Sequence, residues 1–542
     1  MADVWRLVSM IDRNPVSRTR GSLSRTHWAW KFDDFPYPRM QEGVFALVCL
    51  HDLEAEGNPF YHSESVASWV EWAFDYWTRL QHGNGAFDEA YPNEQCLAAT
   101  AFTVFYVGSA FLRWGERLPP ALRGRVLTAL RLAGQWLCRN DETHGILSNH
   151  LAVAVAALEI VSRVCDFKAC SQRARFFLER ILAHQSNEGW MREYDGADIG
   201  YGTHGFFYLA EYWRLTQCED TLAALRRFAG FLGHFVHPDG TIGGEYSSRN
   251  TEFYYPAGFE LLAGHCPHSR AIAVAMRDSL QQRRACGVWA MDPFNFLPML
   301  NNLLFAAEAA RSWEQVDPLP WQRLPGSVHF PEAGLWLINR ERYYAVVGLS
   351  KGGTVSVFDK AGRRIAARHA GHFLVWRDRA YASQDHSPQP ALEWNAAGDA
   401  VTLQVPWKSL GQTVFTPPLF MAFRLFTLTF GRFPAVSRWV KSLLVSVLIR
   451  RKRRPPIIHA RTLRVQDDGI LVEDHIRLPE GVAQLTAAAQ FTSIHMGSAM
   501  YYDARSPCGS AATQAIDAGG GSELRLAGSM TLSGSHWQRQ DD

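Results

Sequence analysis

The sequence predicts a multidomain fold of two kinds, an N-terminal (α/α) toroid of helical hairpins followed by an antiparallel β-sandwich. Three observations predict it. Apolar residues recur at helical spacing in consecutive segments up to residue 310. The loops between those segments repeat a Gly beside a large apolar residue. After Pro318 the pattern changes to short bursts of Val, Ile, Tyr and Phe separated by Gly, Asp and Asn.

At 542 residues the chain has room for two to four domains. Hydrophobic residues make up 47% and charged ones only 20%, which excludes a disordered or fibrous protein. The 55 Lys and Arg nearly cancel the 53 Asp and Glu, and a net charge of +2 excludes a dedicated nucleic-acid binder. Phe, Trp and Tyr number 32, 19 and 17, or 13% of the chain. Such a share serves either large cores or platforms for sugar rings.

Residues 1–38 read as an N-terminal extension without the apolar core of a signal peptide. Nine scattered cysteines without a C-x-x-C read as reduced thiols, and the histidines lack tight ligand spacing. The expectation is a cytoplasmic protein with no metal and no cofactor.

The toroid is expected over 39–316, with helices at 63–80, 121–137, 151–164, 172–184, 221–235 and 295–310. The recurrent loop glycines are Gly85, Gly145, Gly189, Gly240 and Gly287, spaced by about two helices and two loops. An array of five or six such hairpins can curl shut, and its loops would then open on one face. That face is the expected site. The sandwich is expected over 327–536, with strands within 334–350, 354–362, 372–378, 400–407 and 461–478. An amphipathic stretch at 417–456 interrupts it. No run is long enough to span a bilayer. The part at 437–456, with Trp439 near its start and Arg450–Arg454 at its end, reads either as an ordinary surface helix or as a peripheral contact with an anionic membrane.

Four loops concentrate polar groups. In 144–150, Ser148 or Asn149 can cap the following helix, or Asn149 and His150 can face an anion at its N-terminus. The run 187–205 holds Trp190, Tyr194, Asp195, Asp198, Tyr201 and His204, with Tyr208 just beyond, and reads as one long functional loop. The run 243–252 holds Glu245, Tyr246, Arg249 and Asn250, with Arg249 suited to grip a carboxylate in two-point fashion or to pair internally with Glu245. In 88–95, Glu94 is either a binding acid or a first-turn residue.

Ser148-Asn149-His150-Leu151 before an Ala-rich helix, the tyrosine-bearing Asp195-Gly196 loop and Phe330-Pro331-Glu332-Ala333-Gly334-Leu335 resemble the heparinase II/III-like polysaccharide lyases. The resemblance spans roughly residues 40–540. It implies a toroid joined to a sandwich and β-elimination on a uronate-containing polysaccharide. It also implies that Asn149 and His150 neutralise the uronate carboxylate while a tyrosine moves the proton. Tyr201 is the favoured tyrosine, with His204 and Tyr208 as neighbours. The family's sandwich motif G-H-x-H-x-D corresponds to Gly352–Asp359, which has no His; His369 or His372 would be the substitute.

Three functions follow. The first is a carbon–oxygen lyase or uronate C5-epimerase with Asn149, His150, Tyr201, His204 and Tyr208 in the catalytic group. Glu94, Trp190, Asp198, Glu245, Tyr246, Arg249 and Asn250 would then bind the polysaccharide. The second is an inverting glycoside hydrolase using two of Glu94, Asp195, Asp198 and Glu245. The third is a non-catalytic glycan-binding protein of polysaccharide assembly.

Overall fold

A computed structural model describes residues 3–142, 145–410, 415–433, 436, 440, 454–489, 514–518 and 523–540. The first half is helical. Its helices are α1 (Val4–Met10), α2 (Gly43–Asp52), α3 (Glu64–Leu80), α4 (Leu97–Trp114), α5 (Pro120–Arg139) and α6 (Ser148–Cys165). They continue with α7 (Lys168–Ala183), α8 (Ile199–Thr216), α9 (Glu219–Leu232), α10 (Ala257–Leu262), α11 (Pro267–Gln281) and α12 (Pro293–Ala309). The even-numbered helices form an inner ring, each packed on the next, and α12 returns to α2. The ring closes.

Side-chain patterning sorts the two layers. Inner helices α4, α6 and α8 are apolar and buried almost all round, whereas α3, α5, α7 and α9 bury one stripe and turn charged faces to water. The first residues join this wall. Leu7, Val8, Met10, Ile11 and Leu23 enter the toroid core, and Arg6 donates to the carbonyls of Val288 and Met291.

Two of the recurrent loop glycines, Gly85 and Gly189, share a cause. Gly85 and Gly189 both take φ +99°, and a Cβ on Gly189 would lie 2.6 Å from the Arg227 carbonyl oxygen of α9. Gly85 meets the Leu132 carbonyl of α5 in the same way. A glutamine staples each turn. Gln81 donates to the carbonyls of Gly85 and Ala129, and Gln185 to those of Gly189 and Ala224.

One sequence expectation is corrected here. The run 187–205 is not a single loop, because α8 begins at Ile199 and carries Gly200, Gly202 and Gly205 in its first turns. Those glycines permit close packing rather than a turn: a Cβ on Gly205 would lie 3.4 Å from Asn149 Cα, and one on Gly200 would strike Thr251.

The second half begins with an antiparallel sheet in sequential order, β1 (Gly326–Phe330), β2 (Leu335–Asn339), β3 (Tyr343–Gly348), β4 (Thr354–Asp359) and β5 (Arg364–His369). Further strands are β6 (His372–Trp376), β7 (Arg379–Ala382), β8 (Leu392–Trp394), β9 (Ala400–Gln404) and β10 (Lys408–Ser409). After helix α13 (Pro417–Leu428) come β11 (Ile458–Val465), β12 (Gly469–Arg477), β13 (Gln484–Ala487), β14 (Gln514–Asp517), β15 (Glu523–Thr531) and β16 (Gly534–Arg539). These later strands form two more antiparallel sheets, β10-β7-β6-β13-β14 and β16-β15-β12-β11-β9-β8.

The first sheet explains its unbroken apolar sequence by being covered on both faces. Leu335, Leu337, Tyr344 and Val346 enter the toroid core, while Trp336, Ile338, Tyr343 and Val347 enter the sandwich core. Successive side chains point to opposite faces, so one sheet welds the two halves together. Of the stretch expected to contact a membrane, residues 437–439 and 441–453 lie outside the described residues.

Candidate active site

The site is built where the start of α6 meets the start of α8. Sequence expects Ser148 or Asn149 to cap α6, but neither does. The cap is Glu193, whose carboxylate accepts the Asn149 main-chain N–H at 2.7 Å and the Asn149 amide N–H at 2.8 Å. Glu193 arrives there because its loop pairs with the 146–148 segment, Ser148 donating to the Arg192 carbonyl and Tyr194 to that of Ile146. The acceptor at this helix N-terminus is therefore internal. Burial pushes the Glu193 carboxyl well above its usual range, and nearby Asp198 adds to that push, against the pull of the Asn149 donors and Arg249. His150 follows in the first turn, its Nδ1 2.9 Å from buried Glu142 and its ring edge-on to Phe102.

Asp198 caps α8 and organises the opposite wall. Its carboxylate accepts the Tyr201 N–H at 3.0 Å, the Ser247 hydroxyl at 2.8 Å, the Arg249 N–H at 3.0 Å and the Thr251 hydroxyl. Expected to bind substrate, this buried residue is instead consumed in drawing the 245–251 loop over α8. The result sets Tyr201 and Arg249 together. Tyr201 is partly exposed and edge-on to Phe253, with its phenol pushed up by burial and pulled down by Arg249. The Arg249 guanidinium lies 4.6 Å over the ring of Tyr194.

His204 forms the floor. Its ring stacks between Phe102 and Tyr255, at 5.4 and 4.1 Å, and its Nε2 lies 2.8 Å from the Tyr208 hydroxyl. That hydroxyl is in turn 3.0 Å from the hydroxyl of Tyr106. Burial, with Arg39 and His150 adding to it, holds the His204 imidazole far below its usual value, so it stays neutral. Tyr208 is fully buried and positions His204 without any route to a ligand, which corrects its place in the catalytic group. Arg39, from the segment before α2, lies 4.1 Å over Phe102 and pairs with Glu42 at 2.8 Å and Glu89 at 3.4 Å. Burial carries Glu42 up to about 7 in spite of Arg39.

Several residues expected to bind sugar are buried, or tied into their own loop, instead. Glu94 accepts the N–H groups of Glu89 and Ala90 and so knots its own loop. Trp190 is buried and donates to Glu188, which also accepts from Glu332 and Ala333 of the sandwich. Tyr246 is buried with its hydroxyl 2.9 Å from His237 Nε2. Glu245 and Asn250 are buried too, Asn250 donating to Gln384 of the sandwich at 3.1 Å. The reason is shared: these loops lie in the seam between two domains, where aromatic and polar groups serve packing. The acids that crowd the loops are spent on internal partners, Glu142 on His150, Glu193 on Asn149, Glu89 on Arg39 and Asp88 on His82.

The sandwich histidine at this seam is His386, not His369 or His372. His386 packs on the Asp195-Gly196 turn so closely that a Cβ on Gly196 would lie 2.5 Å from its Nε2. Burial, with Lys351 adding to it, pulls its imidazole down to about 4. The polar run 383–387 between apolar strands was the only sequence signal for it. His369 and His372 are buried inside the sandwich. There Asp474 accepts His372 at 2.7 Å and Arg461 through both oxygens at 2.6 and 2.7 Å, and His459 Nε2 lies 3.0 Å from the same carboxylate. His372, His459 and Asp474 hold their ligand-type atoms within 4.8 Å of one another, but Arg461 already supplies the charge a cation would bring.

A cavity of about 340 Å³ between toroid and sandwich, lined by Asn187, Arg227, His234, His268, Arg323 and Phe330 among others, is separate from these residues.

No protein-family model matches the sequence, and no curated protein matches it by sequence. The three-dimensional arrangement does match solved structures. Streptomyces coelicolor A3 chondroitin AC lyase in complex with chondroitin sulphate superposes with a TM-score of 0.53 at 11% identity, over 83% of this chain and 63% of that one. Paenibacillus xanthan lyase superposes with a TM-score of 0.52 at 10% identity, over 90% of this chain and 46% of that one. The fold is that of polysaccharide lyases. The chain spans less than two thirds of the length of either enzyme. The toroid-plus-sandwich architecture implied by the sequence resemblance is thereby met in three dimensions.

Proposed function

We propose that the chain is a polysaccharide lyase, or a C5-epimerase sharing the first chemical step, acting on a uronate-containing glycan. The observation that carries the reading is the meeting of Asn149, His150, Tyr201, His204 and Arg249 where α6 and α8 begin. A C5 hydrogen is removable only once the adjacent carboxylate is neutralised, and donors fixed beforehand do this best. Arg249 supplies a charge-assisted grip and His150, oriented by Glu142, a second contact. Asn149, held by Glu193 through one amide hydrogen, keeps its other for the same oxygen.

Tyr201 carries the proton. It rests as a neutral phenol, since burial outweighs Arg249, and Arg249 lowers the cost of losing the phenol proton. In elimination Tyr201 first releases its phenol proton to solvent; the phenolate then takes the C5 proton, the C4–O bond breaks, and the departing oxygen receives that proton from Tyr201, which is left as the phenolate. The products are an unsaturated uronate and a new chain end. In epimerisation the C4–O bond stays intact, Tyr201 keeps the proton it took, and solvent water delivers a different proton to the opposite face of C5.

The test is incubation with a panel of uronate polysaccharides, following ultraviolet absorbance of the C4=C5 bond and C5 hydrogen exchange in D2O. Tyr201→Phe is expected to lower the rate by about a hundred- to ten-thousand-fold. No unsaturation and no exchange with any uronan overturns the reading, and reducing sugar without unsaturation replaces it with hydrolysis.

A further inference from the structure

Helix α13 is apolar on two opposite sides, and among the described residues only one is covered. The inner side is anchored on the toroid: Phe423 lies edge-on to Tyr91, Arg424 pairs with Asp34 at 2.6 Å, and Asn93 donates to the Thr427 carbonyl at 3.0 Å. On the opposite side Met421, Leu425 and Leu428 are 70%, 66% and 46% exposed. The row continues past the helix with Phe430 and Phe433, at 62% and 57%. A surface helix ordinarily turns polar residues to water; this one turns methionine, leucine and phenylalanine.

The charge of the sequence that carries it is one-sided. Between Asp399 and Asp467 the sequence contains no Asp or Glu, yet it holds twelve Lys and Arg, of which Arg461 is buried on Asp474 while Arg424 and Lys408 pair with Asp34 and Asp385. That concentration stands in a chain whose net charge is only +2. We infer that the outer side of α13, with Phe430 and Phe433, docks on the face of an anionic lipid bilayer.

Both halves of the observation are needed for that occupant. A soluble polyanionic glycan would use the cations but not the apolar row. A second copy of this chain would cover the apolar row but would bring a second acid-free, cationic stretch against the first. A bilayer with anionic headgroups accepts both at once, the side chains entering the acyl boundary and the cations lying at headgroup level. The inner anchoring fixes α13 against the loop that carries Glu89 and Tyr91, so docking would hold the 88–95 wall of the candidate site close to the membrane. This inference is independent of the proposed chemistry.

The experiment is co-sedimentation of the full chain with phosphatidylglycerol–phosphatidylcholine vesicles and with pure phosphatidylcholine vesicles, at low and high salt. The native chain is expected to bind the anionic vesicles, less at high salt, and the neutral ones at least tenfold more weakly. Leu425→Gln/Phe430→Gln is expected to weaken anionic-vesicle binding at least tenfold with an unchanged thermal unfolding midpoint, both positions being exposed. Failure of the native chain to bind, or equal binding by the variant, overturns the inference. So does a native dimer in sedimentation velocity that this variant converts to monomer, because the row would then belong to a second copy.

Discussion

Glu193 caps α6 through Asn149, taking its main-chain N–H at 2.7 Å and its amide N–H at 2.8 Å from a loop 44 residues further along the chain. The pair is buried, so its geometry rests on these two hydrogen bonds. Glu193→Ala is expected to cost about 1–3 kcal/mol of stability, the range for orphaning buried donors. Activity on a responsive uronan should fall further than stability does, since Asn149 loses its orientation. Urea unfolding and initial rates measure the two effects. The native carboxyl is raised above its unfolded value, so its stabilising contribution is greatest at low pH and declines as pH rises through the native value. Glu193→Gln should remove that decline.

The junction of toroid and sandwich at Gly196 and His386 is close enough to test by paired substitution. Gly196→Ala should destabilise, because its Cβ would fall 2.5 Å from His386 Nε2. His386→Ala should relieve the clash, giving a double-mutant coupling of about 0.5–3 kcal/mol. Simple additivity in urea unfolding would show that the two side chains do not meet.

Acid should unfold the protein through its buried histidines. Burial is the leading cause in each case, lowering His234 to about 4, His237 to about 3, His386 to about 4 and His459 to about 4. In the unfolded chain these imidazoles take protons near their ordinary value, about 6.5. The unfolded state therefore binds more protons below that pH, and stability present above it is lost as pH falls towards 4. Unfolding midpoints measured between pH 7 and 4 should decline steeply, and His237→Asn should flatten part of the slope.

The buried Asp474 cluster is a structural centre of the sandwich. Asp474→Ala leaves the Arg461 guanidinium without its carboxylate and is expected to cost about 3–5 kcal/mol. The loss should appear in the unfolding of the whole chain, because the first sheet is shared by both cores.

Periodicity made the architecture legible. Helical spacing marked α3, α5, α6, α7, α9 and α12, and short apolar bursts marked β2, β3, β4, β6, β9, β11 and β12. It failed at α8, where three glycines looked like loop residues but serve close packing against Asn149, Phe228 and Thr251. The site was legible as a set of loops and not as a set of roles. Asp198, Trp190, Tyr246 and Asn250 were conspicuous by residue type, yet each faces inward. Arg39, Glu142 and Tyr255 gave no local pattern that could be read, and His386 gave only its polar run 383–387, because their partners lie far away in sequence.

By itself the sequence determined what repeats locally: the amphipathic stripes, the glycine turns, the change to strands after Pro318 and the acid-free stretch from 400 to 466. These depend on neighbours within a few residues, so a linear pattern records them. Only the tertiary structure decided that Glu193 rather than Ser148 or Asn149 caps α6. It also decided that Asp198 is spent on a loop 49 to 53 residues away and that α13 has one apolar side uncovered by the described residues. Burial and hydrogen-bond partnership are properties of the folded surface, and they separate a polar side chain that can meet a ligand from one already spent on the protein itself.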